Sequence, residues 1–446
     1  MKQLFLFLCT LWALTAHTQP SVFDKAKLDS LLQHIAAHNK GMFSLSIFQD
    51  GQEVYRNSVG YAQLEAQSKA HAETVYGIGS VSKTFTAILT LQLIEAGKLR
   101  LDTPLSIFFP SLPNADAITI EHLLRHRSGI FNITNEADYE VWRKKPMSQE
   151  AMLRKIAAHP PRFTPGEAFE YSNSNYILLS YIIEKVTQKS LQQVLDEQIC
   201  KPCGLTHTFL DRTFYPQEQR AASYHMQRGA WVRVEETHPS VPLGAGGLYS
   251  TPTDLNRFLH CLFEGKLLAD SILQHMLTLQ DLYGMGITVF PFYEKKAYGH
   301  TGGIDGFQST AAYFPAEKVA VAFTANALDM SMNDILIGVL SIYFGRPYPF
   351  PVFRPKVEVK ENVLRTYTGT YASAQLPLKL TVFLKEGTLH AQATGQAAFP
   401  LEAIAENVFV FEAAKVEIEF TTDGKKLILR QHGGEYVFLK ENNSAE

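Results

Sequence analysis

Apolar residues recur at helical spacing at Leu28, Leu31, Leu32 and Ile35, which predicts an amphipathic helix over about 24 to 38. The period then changes. Residues 42–48 and 53–62 flank Gln49-Asp50-Gly51-Gln52, and an Asp-Gly pair between two such runs predicts a β-hairpin. A second helix is predicted from Ser80 through Ile88, Leu89, Leu93 and Ile94 to a C-cap at Gly97. It is apolar nearly all round, as a buried central helix should be. From Leu101 to about 280, helical stretches alternate with Pro/Gly loops and show no sustained strand pattern. Strand patterning returns at 285–290, 297–300, 307–314 and 319–324, and a helix over about 333–344 follows. Together these elements predict an α+β fold: one antiparallel sheet built from both ends of a domain, flanked by helices from its middle.

Pro347, Pro349, Pro351 and Pro355 then mark a linker over 347–355. Beyond it Leu378, Leu380 and Val382 alternate with Lys379 and Thr381, and Val416, Ile418 and Phe420 alternate with Glu417 and Glu419. Turns are supplied by Lys385-Glu386-Gly387 and Asp423-Gly424, so residues 356–446 are expected to form a small all-β, barrel-like domain.

Composition changes this picture little. Of 446 residues, 46% are hydrophobic and 19% charged, an ordinary globular balance. The net charge of -3 points away from nucleic acid as a partner. The N-terminus adds more. Lys2 precedes an apolar run from Leu4 to Leu14, and small residues follow at Thr15, Ala16 and Thr18. This predicts a signal peptide over 1–18, a domain over 19–346, and a periplasmic or extracellular protein. The run is short for a membrane span, and Cys9 lies inside it rather than at its end, so no stable membrane anchor is expected. Three cysteines remain. Cys200-Lys201-Pro202-Cys203 lacks the βαβ context of a redox motif and the further ligands of a zinc site, so packing or an incidental disulfide is expected.

The candidate chemistry begins where a glycine-bounded loop, Gly77-Ile78-Gly79, runs into the buried helix. Ser80 and Lys83 stand three apart there, a nucleophile and a proton-handling neighbour on one face of the first turn. Free backbone N–H groups at a helix N-terminus favour an oxyanion. A second stretch, Phe163-Thr164-Pro165-Gly166-Glu167, leads into Tyr171-Ser172-Asn173 just before the apolar series Ile177, Leu178, Leu179, Ile182 and Ile183. A Tyr and an Asn two apart in such a loop can both face one cleft. A third, His300-Thr301-Gly302-Gly303, ends a predicted strand, where glycines let a substrate lie along the strand edge. His122 and His126 have the spacing of helical zinc ligands, but Leu123 stands where a zinc protease needs Glu, so no metal site is expected. Gly77-x-Gly79 and Gly284-x-Gly286 lack a dinucleotide fingerprint's third glycine, and no cofactor is indicated.

The segments Ser80-Val81-Ser82-Lys83, Tyr171-Ser172-Asn173 and His300-Thr301-Gly302 occur in that order. They are framed by Glu121-His122-Leu123-Leu124-Arg125-His126-Arg127-Ser128-Gly129 and by Gly246-Gly247-Leu248-Tyr249-Ser250-Thr251. Over roughly 24 to 345 the chain resembles the serine β-lactamase and penicillin-binding-protein superfamily, in its class C β-lactamase, DD-peptidase and esterase branch. The resemblance implies an acyl-enzyme on Ser80. Lys83 and Tyr171 would share the base work, the lysine charge favouring a tyrosinate-like oxygen. Asn173 would bond the substrate's amide side chain, Thr301 and Gly302 would lie along the substrate, and the N–H groups of Ser80 and Gly303 would form the oxyanion hole. His300 stands where β-lactamases of this branch usually carry lysine. Its His-Thr-Gly form is more like the branch's DD-carboxypeptidases, and as an imidazolium it could hold a substrate carboxylate. The tail resembles small barrel domains appended to some family peptidases.

The expected function is that of an exported serine hydrolase acting on small amides or esters or short peptides, of D-amino-acid peptidase or DD-carboxypeptidase type. A β-lactamase or esterase is the nearest alternative, and a catalytically silent sensor of the same fold is the alternative of a different class.

Overall fold

The computed structural model describes residues 23–210, 220–227, 229–411, 414–431 and 433–441. The expected signal peptide lies outside them. No helix among the described residues is long and apolar enough to cross a membrane. The chain divides into two compact units, the first ending at Tyr348 and the second beginning at Pro349.

In the first unit, helix α1 (Lys25–Ala37) starts at Asp24, whose carboxylate accepts the Lys27 N–H at 2.9 Å. Strands β1 (Gly41–Gln49) and β2 (Gln52–Val59) follow, and the turn between them has positive φ at Asp50 and Gly51, as a two-residue hairpin needs. The helical middle contributes α2 (Ser82–Glu95), α3 (Ile120–Leu124), α4 (Asn173–Thr187) and α5 (Pro252–Phe263). Strands β3 (Thr288–Phe292), β4 (Lys295–Ile304), β5 (Phe307–Phe314) and β6 (Val319–Leu328) lead to α6 (Met332–Tyr343).

The sheet order is β2-β1-β6-β5-β4-β3, antiparallel throughout. Pairing of β1 with β6 unites the two ends of the unit in one sheet, and both sheet faces are covered. Tyr55 on β2 bonds Asp29 of α1, while on β1 Ser46 meets Asn256 of α5. Tyr55 is cross-strand partner to Ile47, Ser46's neighbour, so strand alternation places the two helices on opposite faces. Under α5, the Phe85 and Phe258 rings stack at 3.6 Å and tie α2 into the core.

Several local expectations shift. The strand expected over 285–290 begins only at Thr288, because Gly286 adopts φ +70° and packs against α2. The last strand runs on to Leu328, paired there with Gly41. The middle region also holds a short hairpin, Tyr224–Gln227 with Ala230–Arg233, too brief to leave a period in the sequence. Cys203 is disulfide-bonded to Cys261, 58 residues away, while Cys200 is free and buried. Cys200 and Cys203 lie on one helical run, and α5 brings Cys261 to the outer of the two.

The second unit is a nine-stranded antiparallel sheet. Its two edge strands, Phe399–Pro400 and Glu402–Ala405, are separated in the chain only by Leu401, so the sheet curls nearly closed. Leu380, Val382, Ile418 and Phe420 point inward in the alternation expected for them, around Tyr371 and Phe438. A short helix, Glu361–Thr366, precedes the first strand and has no counterpart in the sequence reading.

Candidate active site

Helix α2 does not begin at Ser80. Residues Gly79–Val81 form a 3-10 turn, and the α-helix starts at Ser82. Side chains three apart nearly eclipse in a 3-10 turn, so Lys83 Nζ reaches Ser80 Oγ at 3.0 Å. Two glycines let this turn touch β4 backbone to backbone. Gly79 has φ +48°, and a Cβ there would meet the Gly303 nitrogen at 2.6 Å. A Cβ on Gly302 would meet the Ile78 carbonyl oxygen at 2.0 Å. The Gly303 amide therefore lies against the Gly79-Ser80 turn.

Lys83 is fully buried, with three oxygens around its nitrogen. Besides Ser80 Oγ they are Asn173 Oδ1 at 2.7 Å and the Ala245 carbonyl at 2.6 Å. Both partners are set by tertiary structure. Asn173 opens α4, and its orientation follows from a chain of bonds. Asn132 Oδ1 accepts the Asn173 backbone N–H at 3.1 Å and the Thr134 hydroxyl at 3.0 Å. Thr134 Oγ1 is then free to accept from Asn173 Nδ2 at 3.0 Å, which leaves Asn173 Oδ1 facing Lys83. Burial holds Lys83 well below the ordinary lysine range.

Tyr171 adjoins the same pair, with Lys83 Nζ 4.8 Å from its ring centre. Burial raises its hydroxyl pKa, opposed by a hydrogen bond with Ser80. The phenol is the stable form there, so the tyrosinate-like oxygen expected from the sequence is replaced by a protonated one.

His300 also departs from expectation. Its Nδ1 lies 2.5 Å from the Thr301 carbonyl and must carry the proton, and its Nε2 accepts from the Tyr283 hydroxyl at 3.0 Å. Burial lowers its pKa to about 4. It is a neutral, fully committed imidazole, not a cation waiting for a carboxylate. Thr301 points to the opposite face of the sheet, because successive strand residues alternate. Its cross-strand partner Thr310 meets Met332 of α6, and Thr301 lines an apolar groove with Leu336 and Leu340. Gly302 serves the backbone approach described above. Of the predicted residues, the fold thus gathers Ser80, Lys83, Tyr171, Asn173 and Gly303, sets His300 behind Tyr171, and turns Thr301 away.

Ser80, Asn173 and Gly303 open onto a cleft of about 890 Å³. Its cations are paired: Arg143 with Asp305 at 2.8 Å, Lys144 with Glu235 at 2.6 Å, and Arg233 with Glu65 at 3.8 Å. Asp305, in the β4–β5 turn, also accepts the Thr237 hydroxyl at 2.7 Å, closing one end of the cleft. The sequence reading missed Asn132, Thr134, Ala245 and Tyr283. Ala245 and Thr134 carry no chemical signature, since one acts through a backbone carbonyl and the other through a common hydroxyl. His126 entered only as a metal candidate and as part of the segment that frames the motifs. It lies outside α3 at φ +57°, and no group of three or more His, Cys, Asp or Glu able to hold a metal ion is found among the described residues.

The family model described as Beta-lactamase matches residues 28–338. Teichoic acid D-alanine hydrolase of Staphylococcus aureus is 26% identical over 325 residues, covering 70% of this chain and 77% of that protein. The octameric penicillin-binding protein homologue from Pyrococcus abyssi superimposes with a TM-score of 0.68 at 25% identity, over 94% of this chain and all of that one. A crystal structure of D-amino acid amidase from Ochrobactrum anthropi SV3 gives a TM-score of 0.66 at 25% identity, covering 72% of this chain and 98% of that one.

Proposed function

The chain belongs to the Beta-lactamase family and is a serine hydrolase; we propose that it cleaves D-aminoacyl amides or esters through an acyl-enzyme on Ser80, outside the cytoplasm. The observation that carries the mechanism is the set of three oxygens around Lys83 Nζ. A neutral amine has two N–H groups and one lone pair. Asn173 Oδ1 and the Ala245 carbonyl can only accept, so they take the two N–H groups. The lone pair is left for Ser80, the one neighbour that can donate. Burial without a carboxylate partner favours this neutral form. Lys83 is then the base.

In the forward half-reaction the Ser80 proton passes to Lys83 as Oγ attacks the substrate carbonyl. The oxyanion is stabilised by the N–H groups of Ser80 and Gly303. The C–N or C–O bond breaks, and the leaving group takes a proton from the Tyr171 hydroxyl, which Lys83 replenishes. Water then repeats these transfers in reverse: its proton goes to Tyr171 and Lys83, its oxygen attacks the ester, and Ser80 leaves reprotonated.

The neutral leaving group in this reading is supported by the state of His300 and by the pairing of the described cleft cations. A carboxypeptidase would need a positive group for the terminal carboxylate. D-configured acyl groups are favoured by the D-amino acid amidase and D-alanine hydrolase among the chain's relatives. Export is supported by the Lys2 and Leu4–Leu14 pattern and by the Cys203–Cys261 disulfide. The test is covalent labelling with a fluorophosphonate and with penicillin, followed by peptide mapping. In parallel, D-alanine p-nitroanilide, D-alanyl esters, D-alanyl-D-alanine peptides and a chromogenic cephalosporin are assayed. An adduct on Ser80 with turnover of the D-alanyl amide or ester is expected. Preferred turnover of the free-carboxylate dipeptide or of the cephalosporin would replace this assignment.

A further inference from the structure

His126 has no part in the chemistry above, yet it touches the backbone on both sides of Tyr171. Its own carbonyl accepts the Glu170 N–H at 3.0 Å. Its ring Nδ1 accepts the Ser172 N–H at 3.1 Å. Between these two bonds its ring lies 4.2 Å from the Tyr171 ring, tilted by 33°. The segment that carries His126 is itself anchored. Arg125, almost wholly buried, bonds Glu121 within α3 and the carbonyls of His275 and Thr278.

The bonds fix the tautomer. A backbone N–H can only donate, so Nδ1 is unprotonated and the proton sits on Nε2. Nε2 is buried with no hydrogen-bond partner among the described residues. An unpaired buried N–H is unfavourable, and a phenyl ring would fill the same space without it. What the imidazole adds is the Nδ1 acceptor. Burial keeps the ring neutral, so that acceptor persists.

We propose that His126 is a positioning residue: it holds the Glu170–Ser172 segment by two hydrogen bonds and a ring contact, and so aims the Tyr171 hydroxyl at Ser80. This rests on Tyr171 being the proton donor of the proposed reaction. Reaction geometry is sensitive to misplacement, and an error of about 1 Å can cost about 100-fold in rate.

Two substitutions separate the parts of the contact. His126→Phe keeps a ring against Tyr171 but removes the acceptor. His126→Asn removes the ring, keeps an oxygen near the Nδ1 position, and tolerates positive φ. Each is made in the full chain with Tyr171 and with Tyr171→Phe. kcat and KM are measured on D-alanine p-nitroanilide, whose leaving nitrogen must gain a proton, per site titrated with a fluorophosphonate, so that unfolded protein is not counted. The expected result is a kcat loss of about 10- to 100-fold for His126→Phe with KM within about twofold, and a smaller loss for His126→Asn. In the Tyr171→Phe background neither substitution should lower kcat by more than about twofold further. Losses that multiply in full there would overturn the inference while leaving Tyr171 in place. An unchanged kcat in Tyr171→Phe alone would remove the donor role and the inference together. If His126→Phe does not fold, the His126→Asn cycle gives the same decision through the ring contact.

Discussion

The two units solve burial differently. Among the described residues, every buried charged side chain and, tyrosines apart, every buried polar one lies in the first unit, and so does every buried side-chain N or O atom without a partner. The second unit hides hydrocarbon and aromatic rings. Its buried Tyr371 hydroxyl lies 2.8 Å from two carbonyls, and Arg430 meets Glu417, Glu419 and Glu435 at the surface. Burying a polar group is unfavourable unless it is hydrogen-bonded, and burying a charge more so. The second unit follows that rule as a stability device would. The first buries polar side chains as well, and around Tyr171 it gathers Lys83, His126, Ser172, Asn175 and His300, of which only His126 leaves a buried side-chain atom without a partner. The difference teaches where the chain trades stability for preorganised chemistry.

Ser80→Ala bears on this contrast most strongly. It should abolish fluorophosphonate labelling and lower turnover by about 10⁴- to 10⁶-fold, checked by mass spectrometry and steady-state kinetics. Lys83→Met should lower kcat/KM by about 10²- to 10⁴-fold. It also tests the buried base through stability. The folded pKa of Lys83 is depressed and its unfolded value is the ordinary 10.5, so between them the unfolded chain binds more protons. That deficit shrinks as pH rises toward 10.5. Urea unfolding at pH 7, 8.5 and 9.5 should therefore show wild type gaining stability relative to Lys83→Met, and a pH-independent difference would mean that Lys83 is charged in the fold.

Cys203→Ser opens a link across 58 residues and should cost the first unit about 2–4 kcal/mol, read from its denaturation midpoint. A chain ending at Tyr348 should fold, because the first unit has its own core and sheet, and should keep kcat/KM on a small ester within about threefold. The smallest effect concerns His300. With its pKa near 4 it is neutral from pH 6 to 9, so the ratio of kcat/KM for an anionic substrate to that for a matched neutral ester should change by less than about twofold over that range. A fall in the ratio around pH 6.5 would restore His300 as a cation.

Much of this molecule is legible in its amino-acid order. The period of Leu28, Leu31, Leu32 and Ile35, the Asp50-Gly51 turn and the alternation from Val416 to Phe420 are local signals, and each produced its element. Local steric and burial preferences act over a few residues, so a few residues reveal them. Ser80 and Lys83 were also legible, because their contact lies within one turn of chain.

Four features were decided only by tertiary structure. The pKa of Lys83 is lowered by burial, and its partners Asn173, 90 residues on, and Ala245, 162 residues on, come from remote parts of the chain. His300 lost its expected charge to burial, with its Nε2 bonded to the Tyr283 hydroxyl. Thr301 was turned from the cleft by the pleat of β4 and its pairing with β5. Cys203 found Cys261 rather than its neighbour Cys200. Protonation depends on desolvation and on dipoles within a few ångströms, whatever their distance along the chain, so the sequence could name candidate groups while their environments were set by the fold.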